Sequence, residues 1–449
     1  PWIDWIHTCS DQGSLIRDFT KWDNQPASVA AAYEALLRAA QIANTAPCGP
    51  VYINLDQTLQ ETKIGALPPL PDVARFAAPP SAAPAPELVK KAAALISSAK
   101  RPVILAGRVA RSMQSWKERI ALAEKLQAYV LTDMRSGSAF PTDHDLHPTA
   151  PAPMRPTPAT VKMLREADVI LALDWVDLGG LLKQVYQGDP VSARIINASC
   201  DQYSHRAWSM DHQVLPPVDM QLMCEPEPTV SALLDAVKAR AERAPRPEET
   251  PAQRPDTPEL CIYDVAQAFN SATAGLEVCV GRVPIGWNSR YRPFRHPLDF
   301  LGSDGGGGLG AGPATTIGAA LALKGTGRVV ASLLGDGDFL MGATSLWTAA
   351  RYQIPCLMVI CNNRGYYNDE VHQANVARTR NRPVQNKWIG QKLIEPDVDL
   401  AMMARSQGAA GIGPVSEATD LGPAIEQGLQ AVRRGRVCVI DVRVAPGYE

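Results

Sequence analysis

Arg328-Val-Val-Ala-Ser-Leu-Leu-Gly335-Asp336-Gly337-Asp338 opens, and Ile354-Pro-Cys-Leu-Met-Val-Ile-Cys-Asn362-Asn363-Arg364-Gly365-Tyr366 closes, the stretch that decides this fold. The run up to Leu334 is short, apolar and rich in β-branched residues, which reads as a buried parallel strand that Gly335-Asp336-Gly337 breaks. From Gly342 to Tyr352 the apolar spacing turns helical, and Ile354 to Cys361 reads as a second buried strand. Strands flanking one crossover helix lie close together, with both carboxyl ends on one edge of the sheet. Asn362 and Asn363 are therefore expected beside Asp336. Each half alone is ordinary loop chemistry, because Asp-Gly is a common turn and Asn-Asn a common loop. Together, a carboxylate, an amide oxygen and a backbone carbonyl suit a hard cation such as Mg²⁺, which takes oxygen ligands and shares them with substrate phosphates. The stretch reads as a site for one such metal and a diphosphate, docked where the helix begins.

In type and spacing this stretch resembles the signature of enzymes dependent on thiamine diphosphate, Gly-Asp-Gly followed after a strand-linking helix by Asn-Asn. The resemblance implies Mg²⁺ held by Asp336, Asn363 and the Gly365 carbonyl, with Gly337, Asp338, Tyr366 and Tyr367 also against the cofactor. Residues 343–355, Ala-Thr-Ser-Leu-Trp-Thr-Ala-Ala-Arg-Tyr-Gln-Ile-Pro, look most like benzoylformate decarboxylase and acetolactate synthase.

Upstream, Gly305-Gly-Gly-Gly-Leu309-Gly-Ala-Gly-Pro-Ala-Thr-Thr-Ile317-Gly resembles the family's glycine-rich loop and following helix, which is expected to start at about Pro313. Consecutive glycines let a backbone approach a ligand closely and adopt positive φ. The resemblance makes Leu309 the bulky residue that props the cofactor into a V shape, and Gly307 the carbonyl that meets its amino group.

The rest of the chain divides by composition into an α/β, multi-domain protein built on doubly wound parallel sheets with flanking helices. Residues 1–64 carry an alanine-rich helix over 28–44 and a strand over 49–55, and resemble the carboxyl-terminal remnant of the family's pyrimidine-binding domain. Residues 65–86 are a Pro/Ala-rich linker. Residues 87–240 alternate strands and helices as a central Rossmann-like domain without Gly-x-Gly-x-x-Gly, so dinucleotide binding lacks support and FAD, held here by some relatives, is not expected. Residues 241–258 form a second linker, and 259–449 the diphosphate and Mg²⁺ domain. The resemblance implies that a hundred residues or more of a typical member would precede Pro1, among them a glutamate that activates the cofactor. No residue here matches it, and Glu34 and Glu61 read as surface carboxylates.

Composition excludes other classes. With 449 residues, 46% of them hydrophobic, and a net charge of −2, the chain has no basic excess for nucleic acid and no apolar run long enough for a bilayer. Nine cysteines without metal-ligand pairing read as mostly buried, reduced thiols of a cytosolic protein.

Substrate chemistry is expected in the polar cluster after Asn363, where His372 is the candidate proton carrier and Arg364 or Arg378 the candidate carboxylate anchor. His296 is a weaker candidate. In benzoylformate decarboxylases a middle-domain histidine also enters the site, but the matching strand end reads Asp174-Trp175-Val-Asp177-Leu, which argues against benzoylformate as substrate. The resemblance implies cleavage, by decarboxylation, of a 2-oxo acid or a similar bond next to a carbonyl, in a homodimer or homotetramer. The alternatives are an acetolactate synthase-like carboligase and a cofactor-binding subunit without activity.

Overall fold

The computed structural model describes residues 9–151, 155–201, 214–249, 251–303 and 308–447, in which every sheet is parallel. The first sheet is small. β1 (Trp22–Asn24) is followed by helix α1 (Val29–Asn44), whose Ser28 side chain accepts the Ala31 N–H, and then by β2 (Val51–Ile53), which pairs with β1. Only Ala32, Ala35 and Ala39 of α1 are buried, and both strands are half-buried. Glu34 and Glu61 are exposed. β1 was not expected from sequence, since Trp-Asp-Asn is too short and lacks the β-branched run that marks a strand.

The middle sheet follows: α2 (Pro86–Ser98), β3 (Pro102–Ala106), α3 (Met113–Leu126), β4 (Tyr129–Thr132), α4 (Pro158–Glu166), β5 (Val169–Leu173), α5 (Leu178–Tyr186), β6 (Arg194–Ala198), β7 (Met220–Leu222) and α6 (Pro226–Ala236). Its strand order is β4-β3-β5-β6-β7, so the direction of winding reverses between β3 and β5. That is where a doubly wound sheet usually opens a ligand crevice. At that point the two strand ends lie close together: a Cβ on Gly107 would lie 2.3 Å from the Asp174 carbonyl oxygen. Beside it Arg108 is bound to Asp174 at 2.9 Å and to Asp201 at 2.6 Å. The segment expected as the second linker is irregular but fixed. Arg254 pairs with Asp264 at 2.8 Å and donates to the carbonyls of Thr257 and Glu259, and Glu249 accepts from Arg290.

The last sheet carries α7 (Ile262–Ala272), β8 (Val278–Val280), α8 (Ala311–Ala322), β9 (Val329–Gly335), α9 (Asp336–Gly342), α10 (Ser345–Arg351), β10 (Leu357–Asn362), α11 (Tyr367–Thr379), α12 (Leu400–Ser406), β11 (Ala410–Val415), α13 (Ala418–Arg433) and β12 (Cys438–Arg443), in the order β11-β12-β10-β9-β8. Successive β9 side chains enter opposite cores. Leu333 packs with Phe269, Val359 and Ile425, whereas Leu334 packs with Ile317, Phe339, Leu346 and Met358. Burial on both faces explains the uninterrupted apolar run. The helix expected over 342–352 is α10, and a short helix that was not expected, α9, precedes it, starting at Asp336 straight from the strand. The strand ends at Gly335, as expected, with Gly337 already helical, and α8 starts at Ala311, two residues before Pro313.

No helix among the described residues is long and apolar enough to cross a membrane. All nine cysteines are free; Cys9 and Cys48 are exposed, while Cys279, Cys361 and Cys438 are buried as expected.

Candidate cofactor site

The carboxyl ends of β9 and β10 meet where Cys361 pairs with Gly335, which places Asp336 and the Asn362–Gly365 turn side by side. Asp336 is 3% exposed. Its Oδ1 accepts the Gly337 N–H at 2.8 Å, and its Oδ2 accepts the Gly365 N–H at 3.0 Å. Burial raises its pKa to about 6, while the N–H donors of Gly337, Gly365 and Arg364 oppose the rise. The carboxylate is thus desolvated by burial and aimed by main-chain N–H groups among the described residues.

The two asparagines divide their roles. Asn362 is structural: its Nδ2 donates to Asp441 at 2.8 Å, and its Oδ1 accepts the Arg364 N–H at 3.1 Å. Asn363 differs, because its buried Oδ1 has no hydrogen-bond partner among the described residues. A buried polar atom left without a partner costs free energy and calls for an explanation such as a bound ion. Gly365 is held by a second segment. Tyr366 N–H donates to the Gln391 carbonyl at 2.8 Å and Leu393 N–H to the Arg364 carbonyl at 2.9 Å. Among the described residues, no backbone N–H donates to the Gly365 carbonyl. The donor set is therefore all oxygen: a carboxylate, an amide oxygen and a main-chain carbonyl, the chemistry that suits a hard cation.

Tyr366 closes one wall. A Cβ on Gly337 would lie 2.3 Å from the Tyr366 ring, so only glycine lets the ring lie against the start of α9. Tyr366 and Tyr367 are half-buried. Leu309 is 42% exposed at the head of α8, and Gly307 lies outside the described residues. Asp338, expected against the cofactor, has its carboxylate engaged within the protein: it accepts the Gly310 N–H at 2.7 Å and pairs with Arg282 at 3.1 Å.

The substrate candidates are less well placed. His372 is exposed on α11, whose buried residues are Glu370 and Ala374, so its imidazole lies away from the packed side of the helix. Arg364 is exposed at φ 58°, and Arg378 donates to Asn375 within its own helix. His296 Nδ1 accepts the Leu298 N–H at 3.1 Å. Sequence reading missed Arg282 and the pair Lys392–Glu370 at 2.6 Å, whose partners lie on separate segments with no motif to join them.

Two family models match. Residues 89–214 fit the thiamine pyrophosphate enzyme central domain, and residues 280–442 fit the thiamine pyrophosphate enzyme C-terminal TPP binding domain. A benzoylformate decarboxylase of Pseudomonas aeruginosa is 28% identical over 375 residues, which is 79% of this chain and 65% of that protein. A probable acetolactate synthase large subunit of Methanocaldococcus jannaschii is 27% identical over 352 residues, 74% of this chain and 58% of that protein. The chain thus spans about three fifths of the length of these relatives. The crystal structure of a benzoylformate decarboxylase from Polynucleobacter necessarius superposes with a TM-score of 0.76 at 23% identity, covering 96% of this chain and 77% of that one, which shows a shared fold. With both models of one family on these two sheets, together over well more than half its length, the chain belongs to the thiamine pyrophosphate enzymes.

Proposed function

We propose that this protein binds thiamine diphosphate through Mg²⁺ and serves the decarboxylation of a 2-oxo acid. The observation that carries the reading is the oxygen set at the β9 and β10 ends, above all the buried Asn363 Oδ1 without a partner beside a buried, N–H-oriented Asp336. Asp336, Asn363 and the Gly365 carbonyl would hold the metal, and the metal would hold the diphosphate. Gly337 and Tyr366 would wall the diphosphate end, Tyr367 would flank it, and Leu309 would lie under the rings. When bound, the cofactor supplies a thiazolium that accepts the electrons of a bond broken next to a carbonyl. The protein's share is orientation and exclusion of water. The relatives named above include a decarboxylase, which supports this reading, and an acetolactate synthase, which keeps carboligation as its alternative. Assembly as a homodimer or homotetramer belongs to the same proposal.

Calorimetric titration of the purified protein with thiamine diphosphate, with and without Mg²⁺, tests the metal site. Binding is expected to require Mg²⁺, and Asp336→Asn or Asn363→Ala should weaken it by roughly tenfold or more, as loss of a charge-assisted contact does. Release of carbon dioxide from a panel of 2-oxo acids then tests the reaction. Wild-type protein that binds no cofactor with Mg²⁺ present would sink the reading.

A further inference from the structure

Leu309 stands between Gly308 and Gly310, so its stretch of chain has little conformational preference of its own. The structure nevertheless holds it on both sides. Before it, Arg282 Nη2 donates to the Gly308 carbonyl at 3.3 Å. After it, Asp338 Oδ1 accepts the N–H groups of Gly310 at 2.7 Å and Gly312 at 3.2 Å. Arg282 Nε and Asp338 Oδ2 are joined at 3.1 Å, with side chains 17% and 7% exposed. A single ion pair therefore grips the main chain immediately before and immediately after Leu309.

Both members of the pair are themselves anchored. Arg282 follows β8, and its carbonyl accepts the Leu333 N–H of β9 at 3.0 Å. Asp338 lies in the first turn of α9, two residues beyond Asp336. The packing around them is tight enough to transmit position: a Cβ on Gly312 would lie 2.2 Å from Asp338 Oδ2, and one on Gly342 would lie 2.3 Å from the Gly310 carbonyl oxygen. The height of Leu309 is thus tied to the same short helix that carries the proposed metal ligand. The pairing also removes an electrostatic conflict. A buried carboxylate next to a diphosphate site would repel the ligand and would be costly to bury alone, and Arg282 neutralises it.

We propose that Arg282 and Asp338 are positioning residues that fix Leu309 relative to Asp336, and so set the distance between the diphosphate anchor and the ring end of the cofactor. This rests on the cofactor reading above, in which Leu309 lies under the rings. Neither side chain touches a reacting atom; the pair acts through Leu309.

Amide hydrogen exchange at Gly310 and Gly312 in the cofactor-free protein tests the grip without reference to any ligand. Asp338→Ala is expected to speed exchange there by roughly tenfold or more, whereas Asp338→Asn, which keeps an acceptor oxygen, should retain most of the protection. Arg282→Met, which keeps the carboxylate, should give an intermediate loosening. Circular dichroism monitors folding, and if Asp338→Ala fails to fold the other two variants decide. Unchanged exchange in the folded variants overturns the proposal. Calorimetry with Mg²⁺ then compares thiamine diphosphate with inorganic diphosphate, which reaches the anchor but not Leu309. Asp338→Ala should weaken thiamine diphosphate by about tenfold while sparing inorganic diphosphate. Equal loss of both ligands overturns a positioning role. If wild-type protein binds neither ligand, the cofactor reading fails, and the exchange result alone judges the clamp.

Discussion

His147 is fully buried in the middle of the chain, with Nε2 2.9 Å from Thr132 Oγ1 and its ring stacked near Phe140. Its Nδ1 has no hydrogen-bond partner among the described residues. Burial, reinforced by the nearby charge of Arg290, pushes its pKa down to about 3 from an ordinary 6.5. Between those values the unfolded chain binds a proton that the folded chain refuses. Stability should therefore be unaffected by this group above the ordinary histidine value, and fall as pH drops through it, by at most about 1.4 kcal/mol per pH unit. Urea unfolding midpoints compared at neutral and mildly acidic pH should show a flatter pH dependence in His147→Gln than in wild type; identical slopes would refute a buried neutral imidazole. The same scale shows what sequence could and could not reveal. The placement of Asp336 beside the turn that carries Asn363 was readable because it follows from where two strands end. Arg282 was not, because an isolated arginine in a loop ordinarily reads as solvated surface. Its meaning comes only from a partner on another element. His372 was chosen by residue type, and the period of its helix leaves it exposed, opposite the buried Glu370 and Ala374.

α9 has only seven residues, too few to be stable by propensity, so tertiary contacts must hold it in place. Phe339 supplies the largest of them. Fully buried, it joins Ile317 of α8, Leu334 of β9, Leu346 of α10 and Met358 of β10 in one core. Phe339→Ala should cost about 3–5 kcal/mol in denaturant unfolding, the range for deleting a buried phenyl ring. Cofactor binding should weaken alongside it, since Asp336 and Asp338 sit on the same helix. A loss under about 1 kcal/mol would mean that the helix is held by something else. Element existence was legible where periodicity was long: β9, β10 and α1 follow directly from their apolar spacing. Boundaries were less so. Glycines flanking Asp336 marked the end of the strand correctly, but not the helix that starts at once, in which Gly337 leaves room for the Tyr366 ring. Three-residue strands such as β1 and β7 carry too little pattern to be seen before their neighbours are in place.

For the molecule as a whole, the outer side of the diphosphate-bearing sheet presents an unresolved demand for burial. Leu321 of α8, Met341 of α9, and Trp347 and Tyr352 at α10 are each more than half exposed, on helices that pack against one another around the proposed cofactor site. Scattered exposed apolar side chains are ordinary, whereas large ones on adjoining helices are the kind of surface that the proposed homo-oligomer would cover. A second copy of the chain is the occupant that the proposed homo-oligomer requires. It would remove this surface from water at a site continuous with the cofactor, so association and cofactor binding should be coupled. Sedimentation velocity of the purified protein should show a dimer or larger species, with the equilibrium drawn further toward it when thiamine diphosphate and Mg²⁺ are added, since a ligand that binds the assembled form better stabilises it. Trp347→Lys should shift the population toward monomer without disturbing the core, because the indole is on the surface of α10 and not among its buried residues. A wild-type protein that remains monomeric at micromolar concentration with cofactor present would rule out this face as the contact, and would also separate the cofactor site from any requirement for a partner chain.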